Sequence, residues 1–185
     1  GIDNAVSAEV TGVEIEFLKE LSFLGGWGDM FFLQGNATFQ DTELLPGDPV
    51  TGDGNIDVSC LQTEGTSITA NNCQLPGASE YVVNFMLGFD SPDSKHTASL
   101  IYNVFGERVF SLTRAQGTGE PIPDIIEEPF HSLDLTYFWY PTDRVTLKVK
   151  AQNLLNSTVE LTTGGITTFE EDPGTSYSAT VSWSF

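Results

Sequence analysis

The segment Ser176-Tyr177-Ser178-Ala179-Thr180-Val181-Ser182-Trp183-Ser184-Phe185 alternates without interruption. Tyr177, Ala179, Val181, Trp183 and Phe185 fall on one side, and Thr180 and the serines on the other. A period of two is the signature of a strand with one apolar and one polar face. What covers the apolar face decides the fold. In a soluble sandwich a second sheet covers it and the serines meet water. In a membrane barrel hydrocarbon covers it and the serines line the interior.

The same rhythm recurs upstream, giving seven strands in all. The first, Asn4 to Lys19, sets Val13, Ile15 and Phe17 against Glu14 and Glu16. The second, Asp29 to Gln40, sets Phe31, Leu33, Gly35, Ala37 and Phe39 against Gln34, Asn36 and Thr38. The third and fourth are Ser79 to Phe89 and His96 to Phe105, with Val83, Phe85 and Leu87, then Ala98, Leu100 and Tyr102, on their apolar sides. The fifth, Ser132 to Tyr140, and the sixth, Arg144 to Leu154, set Leu133, Leu135 and Tyr137, then Val145, Leu147 and Val149, against polar partners. Short turns are predicted at Gly25 to Gly28, Asp90 to Lys95 and Pro141 to Asp143. Long polar loops are predicted at Asp41 to Ala78, Gly106 to His131 and Asn156 to Thr175, punctuated by Pro and Gly. No helical periodicity, internal repeat or domain boundary interrupts residues 1–185.

Three features favour lipid. Ten residues at about 3.3 Å each, tilted near 40°, rise about 25 Å, the height of a barrel's apolar band. Aromatic residues sit at both ends of the apolar face: Phe31, Phe89, Trp139, Trp183 and Phe185 beside the short turns, Tyr81, Tyr102 and Tyr177 beside the long loops. Such girdles mark the two membrane interfaces. No charge occupies the middle of the apolar face in any strand; Glu14, Glu16, Asp134, Lys148 and Lys150 take the opposite face. The predicted fold class is therefore all-β, an antiparallel up-and-down transmembrane barrel portion. An odd number of strands does not close an ordinary bacterial barrel, so further strands are expected upstream. A hairpin centred on Thr142 would set Asp134 opposite Lys150 across the lumen, a cross-strand ion pair.

Composition narrows the function. There are 26 acids against seven bases, a net charge of −19. That excludes a nucleic-acid partner, which needs a basic stripe. The abundance of aromatics excludes a disordered chain. No apolar run is long enough for a membrane helix: the longest, Tyr81 to Phe89, is interrupted by Asn84. The chain carries neither a signal peptide nor an initiator Met, which suggests a mature or excised chain.

Cys60 and Cys73 are the two cysteines, in a Gly/Asp/Thr/Asn-rich stretch without a CxxC or a nearby His. A disulfide closing a small loop in an oxidising compartment is favoured over zinc or two free thiols. The long segments are acidic, with Asp53 and Asp57, Glu127 and Glu128, and Glu170 and Glu171 as the candidate ligand contacts. Their field favours cations, although a merely solvated outer surface is the simpler reading. Asp53-Gly54-Asn55-Ile56-Asp57 is similar to part of a calcium loop, but its outer ligand positions would fall on Pro49 and Cys60. No metal or cofactor is expected. No catalytic motif appears, and His96 and His131 belong to opposite rims, so no enzyme is expected.

Four motifs in order then carry a resemblance. Tyr102-Asn103-Val104-Phe105-Gly106-Glu107-Arg108 resembles the Y-N-x-x-G-x-R stretch of TonB-dependent outer-membrane receptors. Gly12-Val13-Glu14-Ile15-Glu16 resembles their G-x-E-x-E strand, and Asn153-Leu154-Leu155-Asn156 their N-L-x-N segment. Tyr177 to Phe185 is similar to the C-terminal insertion strand. The resemblance implies that residues 1–185 form the C-terminal segment of a barrel of about 22 strands with a plugged lumen. The plug and upstream strands would lie outside this chain. It also implies active uptake of a bulky solute, a ferric siderophore or an oligosaccharide, energised by the TonB complex through the plug. The location would be the bacterial outer membrane, with long loops extracellular and short turns and C-terminus periplasmic. The alternative is a soluble extracellular β-sandwich module binding carbohydrate or serving adhesion.

Overall fold

The computed structural model describes residues 7–45, 74–111 and 123–185. Its strands are β1 (Ser7–Glu20), β2 (Phe31–Leu45), β3 (Tyr81–Asp90), β4 (His96–Phe105), β5 (Arg108–Ser111), β6 (Ile125–Glu127), β7 (Phe130–Thr142), β8 (Val145–Gln152), β9 (Val159–Thr163), β10 (Ile166–Glu171) and β11 (Ser176–Trp183).

The seven strands legible in the sequence form one open antiparallel sheet, in the order β1-β2-β3-β4-β7-β8-β11. Register brings the apolar faces of neighbouring strands into line. Phe17 pairs with Gly35 and Ile15 with Ala37; Leu33 pairs with Leu87 and Phe31 with Phe89. Leu87 continues to Leu100, Leu100 to Leu135, Leu135 to Ala151 and Ala151 to Tyr177. These residues thus form one continuous face, because a slip of one residue would turn a whole strand over.

Among the described residues, no second layer covers that face. Ile15, Val149 and Val181 are exposed, as are Trp139 and Trp183. A sandwich would have buried them, so the sandwich alternative is not met. The buried apolar residues are Val104, Val109, Ile126 and Ala151, at or near the long-loop ends of the strands.

That end departs from the sequence expectation. Two of the long segments read as loops contain a second sheet, in the order β10-β9-β6-β5. The arms of β4 and β7 continue into β5 and β6, and the β9–β10 hairpin joins them through β6, with Ile126 opposite Thr162. These strands are three to six residues long, too short for alternation to declare itself. An isolated bridge, Ser79 to Arg108, ties β5 to the approach to β3.

The turns explain the registers. Between β3 and β4 the Ser91 hydroxyl and the Lys95 backbone N–H both donate to Asp93, at 2.6 and 3.1 Å. Those bonds hold the Asp93 carboxyl below its usual range. Between β7 and β8 the turn falls at Asp143-Arg144, with Thr142 opposite Val145 and a register shift between Trp139 and Thr142. Pro141 has no N–H for the ladder, so the extra residue is absorbed there as a bulge. The register therefore differs from the one centred on Thr142: Thr136, not Asp134, stands opposite Lys150.

The β9–β10 hairpin turns on Gly164 and Gly165, at φ +58° and +77°. Positive φ at both positions is the requirement of a type I′ turn, which Gly or Asn meets and a β-branched residue does not. Gly164→Val is expected to weaken this hairpin by about 1–2 kcal/mol, and Gly164→Asn to weaken it less, since Asn tolerates the positive φ but its Cβ still meets Pro123 at 3.3 Å. Amide hydrogen exchange across Val159–Glu171 should resolve the difference.

Candidate functional site

The long-loop end is where polar chemistry concentrates, and two hubs organise it. The first is built where β4 passes into β5. The Gly106 N–H donates to the Tyr81 carbonyl at 2.8 Å. A Cβ on Gly106 would lie 2.6 Å from the Tyr81 ring, so the close approach requires glycine. Arg108 follows, with its guanidinium 4.2 Å from the centre of the Phe105 ring. Its Nε donates to Glu127 Oε2 at 2.8 Å. Glu127 is buried, so this pair satisfies a carboxylate withdrawn from water. The Thr162 hydroxyl donates to Glu128 at 2.8 Å, joining β9 to the same cluster.

Glu107 stands beside this pair. Partial burial, then the negative charges of Glu128 and Glu80, push its carboxyl above the usual range.

The second hub is Asn153, buried and left-handed at φ +52°. Its backbone N–H donates to Asp134 at 3.0 Å. Its side-chain amide donates to the Ser157 and Gly174 carbonyls at 3.0 and 3.2 Å, and its Oδ1 accepts from the Ser157 N–H at 2.9 Å. The Thr175 hydroxyl donates to its carbonyl at 2.9 Å. One asparagine thus fixes the end of β8, both ends of the β9–β10 hairpin and the start of β11. Asn tolerates this backbone region, which most residues avoid.

The polar face of the main sheet carries an amide row. Asn36 lies opposite Asn84 and Asn84 opposite Asn103, and Asn84 Nδ2 donates to Asn36 Oδ1 at 2.7 Å. Lys148 and Lys150 face the same side, opposite Thr180 and Ser178. The Lys148 ammonium lies 5.3 Å above the Phe138 ring.

The residues singled out in the sequence are distributed as follows. Cys60, Cys73, Asp53 and Asp57 lie outside the described residues. Glu127 and Glu128 are engaged by Arg108 and Thr162. Glu170 lies opposite Glu160, and Glu171 opposite Val159, on the exposed strand β10. Asp134 and Lys150 are not cross-strand partners; Asp134 instead accepts from Ser132 and Asn153. The aromatics do gather in two rows. Near the turns, Phe31 and Phe89 meet at 5.1 Å, His96 stacks on Trp139 at 6.3 Å, and Trp183 meets Phe185 at 5.6 Å. Near the long loops, the Tyr102 hydroxyl and His131 Nδ1 are 2.7 Å apart, Tyr81 abuts Gly106, and Tyr177 is exposed. The Arg108 and Asn153 hubs were missed as sites, although both lie inside the quoted motifs. Among the described residues no group of three or more His, Cys, Asp or Glu side chains is placed to hold a metal.

No protein-family model matches the chain, and no curated protein matches it in sequence. Solved structures do. The siderophore receptor PiuA from Acinetobacter baumannii superposes over 95% of this chain with a TM-score of 0.59 and 12% identity. The ferric yersiniabactin uptake receptor FyuA from Yersinia pestis superposes over 96%, with a TM-score of 0.61 and 15% identity. The fold is shared with receptor β-barrels. The chain spans 22% and 24% of the lengths of those receptors, and its sheet is correspondingly open. In this fold the hubs occupy strand-to-loop transitions, and the motifs that contain them are explained by geometry: Gly106 for a close approach, Arg108 for a buried carboxylate, Asn153 for a left-handed backbone.

Two expectations follow. Asn153→Ala loses the amide bonds and places alanine in a left-handed conformation; destabilisation of about 3 kcal/mol is expected in denaturant unfolding. The folded Glu107 binds its proton more tightly than the unfolded chain, so its ionisation opposes folding above its raised pKa. Glu107→Gln should therefore raise the melting temperature at neutral pH. The gain should vanish as pH falls through the raised value to the ordinary glutamate range.

Proposed function

We propose that the chain is a segment of the wall of an outer-membrane receptor barrel that imports a bulky solute. The observation that carries this reading is the apolar face that runs across seven strands and that, among the described residues, no second layer covers. Hydrocarbon is the solvent that such a face fits, and a closed barrel is the form in which a sheet crosses a bilayer. The amide row and the two lysines then line the lumen. The strand-to-loop hubs hold the long segments on the outer side, where a solute is first met. The short turns and the C-terminus face the periplasm. Upstream strands complete the wall, a plug closes it, and the TonB complex supplies energy through that plug.

A ferric siderophore is the preferred solute over an oligosaccharide, since one structural neighbour is a siderophore receptor and the other a ferric yersiniabactin uptake receptor. The wall carries no reaction in this reading. Solute capture belongs to the extracellular segments, including the acidic positions Glu170 and Glu171, with Cys60 and Cys73 closing the first long loop as a disulfide.

Adjacent residues on opposite faces test the membrane placement. Ala179→Arg puts a charge against hydrocarbon near mid-strand and should cost about 2–4 kcal/mol in unfolding from lipid vesicles. Thr180→Arg points into the lumen and should cost little. Equal effects from the two would overturn the barrel reading. In cells, loss of the protein should reduce uptake of radiolabelled iron supplied as ferric siderophore; unchanged iron uptake with reduced oligosaccharide uptake would reassign the solute.

A further inference from the structure

The β1–β2 connection is more than a bare turn. It contains two short 3-10 segments, Ser22–Leu24 and Gly28–Met30. It presents Phe23 at 69%, Leu24 at 67% and Trp27 at 80% exposure. Three large apolar side chains on one short connection are a costly arrangement in water, at about 25 cal/mol for each Å² left wet.

The connection is also closed on itself. Leu21 N–H donates to the Phe31 carbonyl, Leu24 N–H to Leu21, Gly25 N–H to Ser22, Gly28 N–H to Gly25 and Met30 N–H to Trp27, at 2.6 to 3.3 Å. Half of the N–H groups of residues 21–30 are thus satisfied internally, which lowers the cost of entering a water-poor environment. Finally, Lys19 bears on Phe23, with its ammonium 5.9 Å from the ring centre. Lys19 pairs with Leu33 and alternates in phase with Phe17, so it belongs to the apolar face at its turn end.

We propose that this connection is an interfacial anchor. Phe23, Leu24 and Trp27 seat at the headgroup–acyl boundary of the membrane leaflet at the turn end, and Lys19 pairs with an anionic lipid phosphate. The apolar side chains continue the lipid-facing surface beyond the strand ends. The ammonium supplies the charge complementarity that such amphipathic anchors use. The inference rests on the barrel reading above, and the test separates the two.

The full-length protein carrying this chain, with Cys60 and Cys73 replaced by Ser, is reconstituted in vesicles of phosphatidylcholine with or without phosphatidylglycerol. Nitroxide labels are placed singly at Phe23, Leu24, Trp27 and Val149, and collisions with oxygen and with a water-soluble nickel chelate are measured. Val149 is the barrel control and should be oxygen-accessible and nickel-protected. The anchor labels should also favour oxygen, at a shallower depth than Val149, and move deeper when phosphatidylglycerol is present. Lys19→Gln should abolish that lipid-dependent shift.

A nickel-accessible label at all three turn positions beside a lipid-exposed Val149 overturns the anchor while leaving the barrel intact. Immobile labels reached by neither reagent also overturn it, in favour of a protein partner. Lipid seating with no dependence on phosphatidylglycerol or Lys19 overturns the phosphate pairing. A nickel-accessible Val149 overturns the barrel reading itself.

Discussion

The structure depends on one constraint: register between neighbouring strands must keep apolar residues beside apolar residues over six successive ladders. Because side chains alternate with a period of two, a single slip anywhere would put one strand's leucines among its neighbours' polar groups. The alignment Leu33–Leu87–Leu100–Leu135–Ala151–Tyr177 crosses the sheet from β2 to β11 without such a slip. The polar alignment Asn36–Asn84–Asn103–Ser132 holds in phase with it. Two faces of opposite chemistry follow directly, and so does the need for two different surroundings.

The ends of the strands serve different purposes. At the turn end, compact connections and stacked rings finish the apolar face, and the ladders close within a few residues. At the loop end the sheet does not simply stop. Its arms lengthen, pair again as β5, β6, β9 and β10, and enclose the buried residues Val109 and Ile126. Stability at that end comes from specific polar contacts as well as from packing. Arg108 answers the buried Glu127, and Asn153 ties together segments that are separate in the chain.

Two of the four motifs, those containing Gly106–Arg108 and Asn153, make strand-to-loop transitions, while Gly12–Glu16 lies within β1 and Tyr177–Phe185 runs along β11. The chain shares its fold with receptors of known structure at only 12% and 15% identity. Few positions need a particular residue. Elsewhere a strand needs only alternation, which many sequences satisfy.

Alternation by itself determined the seven long strands, their order of succession, the side each residue takes and the ends at which aromatics gather. These are local properties, and a period of two is visible without knowing the neighbour. The second sheet was not legible, because strands as short as Ile125–Glu127 owe their form to the partners beside them. Nor was the β7–β8 register, where the missing N–H of Pro141 and the bulge next to it moved Lys150 from Asp134 to Thr136. The ion pair of Arg108 with Glu127 and the bonds of Asn153 to Asp134 and Gly174 span 19 to 21 residues of sequence. Only the tertiary structure could decide them, since contacts at that separation are set by how the ladders align rather than by any local pattern.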